Sequence, residues 1–331
     1  MFIGRATSDL HLTKLSARWV WNALEELRQD AKERGGPTIL VGDILDQPTM
    51  VHMPSYNRLR EELQSFPEEV YVIVGNHDQY RWPDNALEPL AGGNVKVISE
   101  PTWTDIGLMV PYQPADEFWD TMDGLDNYKP DQTLPIWWTH QGWKGAWLNN
   151  MVKDKDGLSL RKIRADLVIT GHYHAPHNVG KRVMYCGSPY QTSFAEEGQA
   201  KFWFSFNPEN NRPSRIEYKN VGAPKHITIH WDPSQGEPEV PEDYVEGDKL
   251  RIFTEATRSE AKAASGQLKS AGLTGVAVLA KPDNSQRGEI EAGTSAVDAV
   301  RQFIDKKYGD GLLDPNADSL HQWAKERGLW G

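Results

Sequence analysis

The chain has 331 residues, with 36 basic and 47 acidic side chains and a formal net charge of −11. This length suits one large core and a smaller appended unit, because single cores stop growing at roughly 250 to 300 residues. The acidic balance excludes the globally basic surface of many nucleic-acid-binding proteins, although bound divalent metals or a local patch can still attract a polyanion.

The single cysteine, Cys186, excludes an intrachain disulfide framework and fits a reducing compartment. Residues 1–5 reach a charged side chain too early for a secretory signal, and no later stretch is long and apolar enough to span a bilayer. We therefore predict a cytoplasmic protein without a membrane segment, in a bacterium or, if a phage encodes it, in the host.

Short apolar runs bounded by glycine or turn residues predict buried strands in the first part of the chain. These runs cover residues 2–3, 38–41, 70–74, 136–138 and 167–170. Helical spacing of apolar residues predicts a helix over residues 17–33, and a second helix is expected over about residues 55–64.

The later segments are less regular. Residues 112–135 mix Pro, Asp, Gly and Trp, which predicts an irregular insertion. Alternation in residues 202–206 and 215–218 predicts antiparallel strands that complete a second sheet. We divide the chain into a main domain of residues 1–225, a linker of residues 226–246 and a small domain of residues 247–331.

The small domain is expected to begin as a β-α-β unit. Residues 249–253 alternate as a strand, a capping box at Thr257 opens a helix that stops at Gly272, and residues 275–279 offer another strand. A final helix is predicted from one apolar face, formed by Val297, Val300, Ile304 and Tyr308.

Side chains that can bind metal ions follow the carboxyl end of each predicted strand. They are Asp9, His11, Asp43, Asn76, His140, His172 and His174. Because functional groups in α/β sheets gather beyond the carboxyl ends of the strands, we expect these residues in one cleft. Carboxylate, imidazole and carboxamide ligands together suit borderline divalent ions such as manganese, iron or zinc. The set exceeds what one ion needs and therefore predicts a two-metal site.

Two further residues are candidates for catalysis. His77 follows the ligand Asn76 and is placed for proton transfer or charge stabilisation, and Asp78 could orient the ring of His77.

The ordered motifs that carry these residues resemble those of the calcineurin-like metallophosphoesterase superfamily. Residues 183–201 in addition resemble the segment after the last metal motif in the SbcD family, the nuclease subunits of SbcCD-type DNA-repair complexes. The resemblance implies an α/β fold: a metallophosphoesterase β-sandwich flanked by helices in four α-β-β-α layers, followed by a small α+β capping domain that helps hold DNA.

The resemblance also implies the arrangement of the metal site. One manganese ion would be bound by Asp9, His11, Asp43 and His174, and the other by Asp43, Asn76, His140 and His172. Asp43 would bridge the two Mn²⁺ ions, and His77 would stabilise the transition state or protonate the leaving oxygen.

The implied activity is that of a manganese-dependent nuclease in DNA repair and recombination, a duplex exonuclease and single-strand endonuclease. Its partners would be DNA, an SbcC-type coiled-coil ATPase and a second copy of the chain. The alternatives are a phosphatase or a small-molecule or cyclic-nucleotide phosphodiesterase on the same fold, and a non-catalytic scaffold. The scaffold is disfavoured because every expected ligand position is filled.

Some conspicuous residues admit two interpretations. His177 and Tyr190 are candidates for substrate binding. Trp119, Trp143 and Trp147 could stack on unpaired bases, although a tryptophan more often fills a core or its rim. The final amphipathic helix could dock the ATPase, but we favour its packing on the small domain.

Overall fold

A computed structural model describes residues 3–125, 134–148, 152–210, 212–242, 244–270, 273 and 275–280. The helices are α1 (Ala17–Arg34), α2 (Met53–Gln64), α3 (Ala115–Leu125) and α4 (Arg258–Ser270). The strands are β1 (Gly4–Thr7), β2 (Thr38–Val41), β3 (Val70–Ile73), β4 (Gln79–Arg81), β5 (Asp84–Asn85), β6 (Val95–Ile98), β7 (Thr102–Thr104), β8 (Gly107–Val110), β9 (Ile136–His140), β10 (Leu167–Gly171), β11 (Asn178–Val179), β12 (Val183–Tyr185), β13 (Phe202–Phe206), β14 (Ser214–Glu217), β15 (His226–Trp231), β16 (Lys249–Thr254) and β17 (Val276–Ala280).

Two six-stranded sheets form the main body. The first has the order β14-β13-β1-β2-β3-β6, and the second has the order β11-β12-β10-β9-β8-β7. Strands β1, β2, β3 and β6 are parallel, as are β8, β9, β10 and β12. The carboxyl ends of the parallel strands in each sheet therefore lie along one edge of that sheet.

The two sheets pack face to face with helices outside them. The inner core joins Ile39 and Ile73 of the first sheet to Trp138 and Ile169 of the second. Helices α1 and α2 cover the outer face of the first sheet, while Phe118 of α3 lies in the core outside the second sheet. This helix, sheet, sheet, helix order confirms the predicted mixed α/β fold.

Helix α1 matches the expected helix to within one residue at its end. Val20, Leu24 and Leu27 are fully buried along one face, so the helix is fixed by packing on the first sheet. It ends at Gly35, whose φ of 69° is costly for a residue with a Cβ atom.

Three segments differ from the sequence interpretation. Residues 115–125 are helical within the predicted irregular insertion, because Phe118 and Met122 lie one turn apart and are both buried. Strands β13 and β14 extend the first sheet, with β13 antiparallel to β1, and do not complete the second. Residues 226–231, placed in the predicted linker, form strand β15.

Strand β15 belongs to a third sheet of order β15-β16-β17, in which all strands are parallel. Helix α4 packs on it through buried Ala261, Ala264 and Leu268. The expected strand, helix and strand of the small domain are thus observed, whereas the division into domains stays a prediction. The predicted final helix with Val297, Val300, Ile304 and Tyr308 lies outside the described residues.

The third sheet contacts the main body through the segment that follows β12. The amide of Thr228 donates to Oε1 of Glu197 at 2.6 Å, and the amide of His226 donates to Oε1 of Gln191 at 3.0 Å. Among the helices of the described ranges, none combines the length and apolar character needed to cross a membrane.

Candidate metal centre

The predicted ligands lie at the carboxyl ends of parallel strands from both sheets. Asp9 and Asp43 each lie two residues after their strand, β1 and β2, whereas His140 is the last residue of β9. The loops after β1 and β2 continue the pairing of those strands. The amide of Asp9 donates to the carbonyl oxygen of Gly42 at 3.0 Å, and the amide of His11 donates to that of Asp43 at 3.1 Å.

Four of the ligands have a left-handed backbone. Their φ angles are 54° at Asp9, 44° at His11, 51° at Asp43 and 90° at His172. A non-glycine residue held in this region costs on the order of 1–3 kcal/mol, and such residues cluster at functional sites. The backbone strain in the described structure therefore coincides with the residues that the sequence selects as ligands.

Two glycines allow the loops to approach each other. A Cβ atom on Gly42 would lie 2.1 Å from Nδ1 of His140, and one on Gly171 would lie 2.3 Å from the carbonyl oxygen of Val41. Because real Cβ contacts are never this short, both positions require glycine. The close approach of the loops therefore explains why glycine precedes Asp43 and His172 in the sequence.

Asp9, His11 and His174 form the first group, with ligand atoms that all lie within 4.8 Å of one another. Nε2 of His11 and Nε2 of His174 are 3.0 Å apart. On the far side of each ring, Nδ1 of His174 lies 3.0 Å from Glu196 Oε1 and Nδ1 of His11 lies 3.3 Å from Asp46 Oδ1. With the protons on Nδ1, the two Nε2 lone pairs face each other, which suits a cation between them.

Asp43, His140 and His172 form the second group. His140 is fully buried, its Nδ1 lies 2.7 Å from the carbonyl oxygen of Val41, and its Nε2 has no aligned hydrogen bond. A buried nitrogen without a partner is costly unless an ion or a proton satisfies it. Oδ1 of Asn76 lies 2.8 Å from Nδ1 of His172, so the carboxamide joins this group.

Asp43 lies between the two groups. Its Oδ2 is 3.1 Å from Nε2 of His140 and 3.9 Å from Nε2 of His11. Burial raises the pKa of Asp43, but the charge of His140 outweighs it and holds the pKa well below its usual range. The carboxylate is therefore ionised and available to both groups.

The histidines of the second group have opposite pKa shifts. Burial lowers the pKa of His140, but the charge of Asp43 more than compensates and raises it to about 9. Burial, together with the charge of His140, lowers the pKa of His172 to about 4. A raised pKa at His140 means that a divalent cation binding there would compete with a proton.

His77 and Asp78 have different surroundings. His77 is exposed, its ring lies edge-on to His11 at 4.9 Å, and its Nδ1 is 2.8 Å from the carbonyl oxygen of Asp46. Asp78 is fully buried and accepts hydrogen bonds from the amides of Leu45 and Gly75 at 2.9 and 2.8 Å. The contact that orients the ring of His77 thus comes from Asp46, not from Asp78 as expected.

Asp78 itself joins the loops after β2 and β3. Burial and the nearby charge of Asp43 raise the pKa of Asp78 to about 8. Its position and contacts suit a residue that holds two metal-bearing loops together.

The two candidates for substrate binding make structural contacts. Tyr190 is buried, and its hydroxyl donates to the carbonyl oxygen of Leu10 beneath the loop that carries Asp9. The ring of His177 stacks on Tyr185 at 4.6 Å, and its Nε2 accepts from the amide of Trp147. Burial lowers the pKa of His177, so the ring is neutral.

The three tryptophans that could stack on bases differ in their burial. Trp143 is fully buried and Trp119 packs against the same core, whereas Trp147 is exposed beside the ammonium group of Lys153. Of the three, Trp147 is the most exposed and therefore offers the largest surface that a base could contact.

The sequence interpretation did not single out the residues that support His174. Nδ1 of His174 contacts Thr192 and Glu196, and the carbonyl oxygen of His174 accepts from the ammonium group of Lys201. Burial raises the pKa of Glu196, but the hydrogen bond from His174 and the charge of Lys201 hold it below the usual range. The signal was present in the sequence, because all three lie in the segment that resembles the SbcD family.

Comparison with known proteins agrees with this geometry. The chain is 26% identical over 257 residues to "Putative phosphoesterase 244L" of Invertebrate iridescent virus 6, covering 70% of this chain and 84% of the viral protein. It is 24% identical over 238 residues to SbcD of the nuclease SbcCD from Escherichia coli (strain K12), covering 58% of this chain and 60% of that SbcD protein.

SbcD of Escherichia coli O157:H7 gives the same values. The sequence profile of the calcineurin-like phosphoesterase family matches residues 6–176, which is more than half of the chain and includes every predicted ligand. The chain therefore belongs to the calcineurin-like phosphoesterase family.

Proposed function

We propose that the chain is a manganese-dependent DNA nuclease of the SbcD type that hydrolyses phosphodiesters at a two-metal site. The observation that carries this proposal is the position of Asp43, whose Oδ2 lies 3.1 Å from His140 and 3.9 Å from His11, one residue of each group. A carboxylate between two groups of imidazole and carboxylate ligands suits a bridged pair of divalent ions.

The chain's own residues have separate roles in this proposal. Asp9, His11 and His174 would hold one ion, Asn76, His140 and His172 would hold the other, and Asp43 lies between the two groups. When bound, the pair of ions neutralises charge on the phosphodiester and supplies a nucleophile at neutral pH.

His77 is the catalytic residue. Its Nδ1 donates to the carbonyl oxygen of Asp46, which leaves Nε2 at the open side of the site. From there the imidazolium form of His77 could donate a proton from Nε2 to the leaving oxygen of the substrate, whereas the neutral ring presents a lone pair at Nε2.

The choice of DNA as substrate rests on similarity to SbcD of Escherichia coli, which belongs to a nuclease by its name. This chain spans 60% of that protein, so exonuclease action on duplexes and endonuclease action on single strands are proposed here and follow from the similarity alone. An SbcC-type coiled-coil ATPase and a homodimer are proposed on the same ground, as are a cytoplasmic location and a role in DNA repair and recombination.

A small-molecule phosphodiesterase or phosphatase is the second candidate. The similarity to the viral phosphoesterase, of which the chain covers 84%, is compatible with it, because that protein's name specifies no substrate. The two candidates share the metal site and differ only in the substrate.

The experiment compares substrates under one set of conditions. The purified chain with Mn²⁺ is given end-labelled linear duplex DNA, circular single-stranded DNA, bis-p-nitrophenyl phosphate and a cyclic nucleotide, beside His77→Ala and a chelator control. We expect Mn²⁺-dependent release of nucleotides from DNA that His77→Ala reduces. Turnover of the small substrates with intact DNA would replace the nuclease by the second candidate, and no turnover at all would indicate a non-catalytic scaffold.

A further inference from the structure

A buried ion pair lies directly behind His174. Glu196 is 5% exposed and Lys201 is 7% exposed, and the ammonium group of Lys201 donates to Oε2 of Glu196. The same ammonium group donates to the carbonyl oxygen of His174 at 3.0 Å and to Oγ of Ser188 at 3.1 Å. The pair thus holds both the backbone and, through Glu196, the ring of His174.

The contact between Glu196 and His174 fixes which ring nitrogen carries the proton. Oε1 of Glu196 lies 3.0 Å from Nδ1 of His174, and a carboxylate paired with an ammonium group can only accept. Nδ1 therefore carries the proton, and Nε2 presents its lone pair to the first group, 3.0 Å from Nε2 of His11. Oγ1 of Thr192, at 2.8 Å, is the other neighbour of Nδ1.

The second group has other neighbours. Nδ1 of His140 contacts the carbonyl oxygen of Val41, and Nδ1 of His172 faces Oδ1 of Asn76, itself a candidate ligand of that group. The carboxylate of Glu196 accepts hydrogen bonds from His174, Ser188, Thr192 and Lys201. The ion pair therefore supports one of the two groups and not the other.

We propose that Glu196, held by Lys201, is the positioning residue for the ion bound by Asp9, His11 and His174. It acts through the ring of His174, so its removal weakens that ion and leaves the one at His140 and His172 in place. This inference rests on the two-metal part of the proposed function and not on DNA as the substrate.

Glu197 provides a matched control. It is the next residue in the chain and also a glutamate, but its carboxylate accepts from the amide and hydroxyl of Thr228 in β15. Glu196→Ala and Glu197→Ala thus remove the same group on either side of one peptide bond. Only the first removes a contact to a metal ligand.

The experiment measures Mn²⁺ binding to the full chain by isothermal titration calorimetry, without any substrate. We expect two bound ions for the unaltered chain and for Glu197→Ala. In Glu196→Ala we expect one ion of unchanged affinity and one weakened by about 10- to 100-fold, the usual effect of removing a residue that orients a metal-ligating histidine. Glu196→Gln keeps an oxygen acceptor for Nδ1, so its affinity for the weakened ion should lie between that of the unaltered chain and that of Glu196→Ala.

Equal weakening of both ions in Glu196→Ala, or of neither, would overturn the proposal, as would binding of a single ion by the unaltered chain. If Glu196→Ala does not fold, as judged by its thermal unfolding, Glu196→Gln takes its place, because it keeps the size of the side chain and removes its charge. A smaller but selective weakening of the same ion is then expected, and equal affinities for the unaltered chain and Glu196→Gln would overturn the proposal. A selective loss in the binding data stands even if DNA proves not to be the substrate.

Discussion

Replacement of Gly42 by alanine tests how closely the two sheets are packed at the metal site. Gly42 has a φ of 84°, and an added Cβ atom would lie 2.1 Å from Nδ1 and 2.5 Å from Cγ of His140. His140 is fully buried and cannot move aside into solvent. The left-handed backbone costs about 1–2 kcal/mol, and overpacking adds about 1–3 kcal/mol. We expect the free energy of unfolding to fall by about 2–5 kcal/mol.

Gly93→Ala is the control. Its φ of 61° is also left-handed, but an added Cβ would meet nothing within 4 Å, so this variant should lose only about 1–2 kcal/mol. Urea unfolding of the metal-free chain gives both values. Mn²⁺ titration and hydrolysis of bis-p-nitrophenyl phosphate then report on the site. A misplaced His140 should lower turnover by about 100-fold in Gly42→Ala alone.

Equal destabilisation of the two variants would show that the clash is absorbed and that backbone conformation alone requires glycine at residue 42. Loss of stability without loss of the ion at His140 would refute the claim that this glycine positions the ligand.

Three further outcomes are expected. His77→Ala should lower kcat by about 10²- to 10⁴-fold and leave the Mn²⁺ affinity unchanged, as single-turnover assays and titration calorimetry can check. Because the pKa of His140 is raised to about 9, Mn²⁺ binding at pH 7.5 should release a proton, and the Mn²⁺ affinity should rise with pH up to about 9. Calorimetry in buffers of different ionisation enthalpy measures both the proton release and the affinity. An affinity that does not change with pH would contradict this expectation. Tyr190→Phe should reduce stability by about 1 kcal/mol without changing KM, whereas a raised KM would restore the substrate-binding role.

The metal motifs could be found from the sequence because each follows a short apolar strand. Strands β2, β3, β9 and β10 lie within a residue or two of the predicted runs, and parallel strands present their carboxyl ends together. The two groups of ligands around Asp43 follow from this topology. The first strand was predicted at residues 2–3, whereas β1 covers Gly4–Thr7. The charge of Arg5 suggests a surface residue, although its side chain is buried against Asp30.

Other features depend on packing that alternation does not encode. The pattern of residues 202–206 indicates a strand but not its neighbour, which is β1. Acidic residues and nearby prolines hid the helix over residues 115–125. The proline-rich composition after Trp231 hid strand β15 within the predicted linker, although Ile227 and Ile229 alternate and pack with the third sheet.

Asp78 and Tyr190 were assigned from their neighbours in the sequence. Their side chains contact main-chain atoms of other loops, and such contacts can be seen only in three dimensions. Glu196 was overlooked for the same reason: its partner His174 is 22 residues away along the chain.

The hydrogen bonds between the metal-bearing loops limit how this site can be transferred or redesigned. The loop after β1 donates three backbone hydrogen bonds, from Asp9, His11 and Leu12, to the loop after β2. Asp78 then joins that second loop to the one after β3. A single loop grafted into another scaffold would leave these donors without acceptors, so the three loops form one indivisible module. Loop exchange between relatives should therefore succeed only when all three loops are exchanged together.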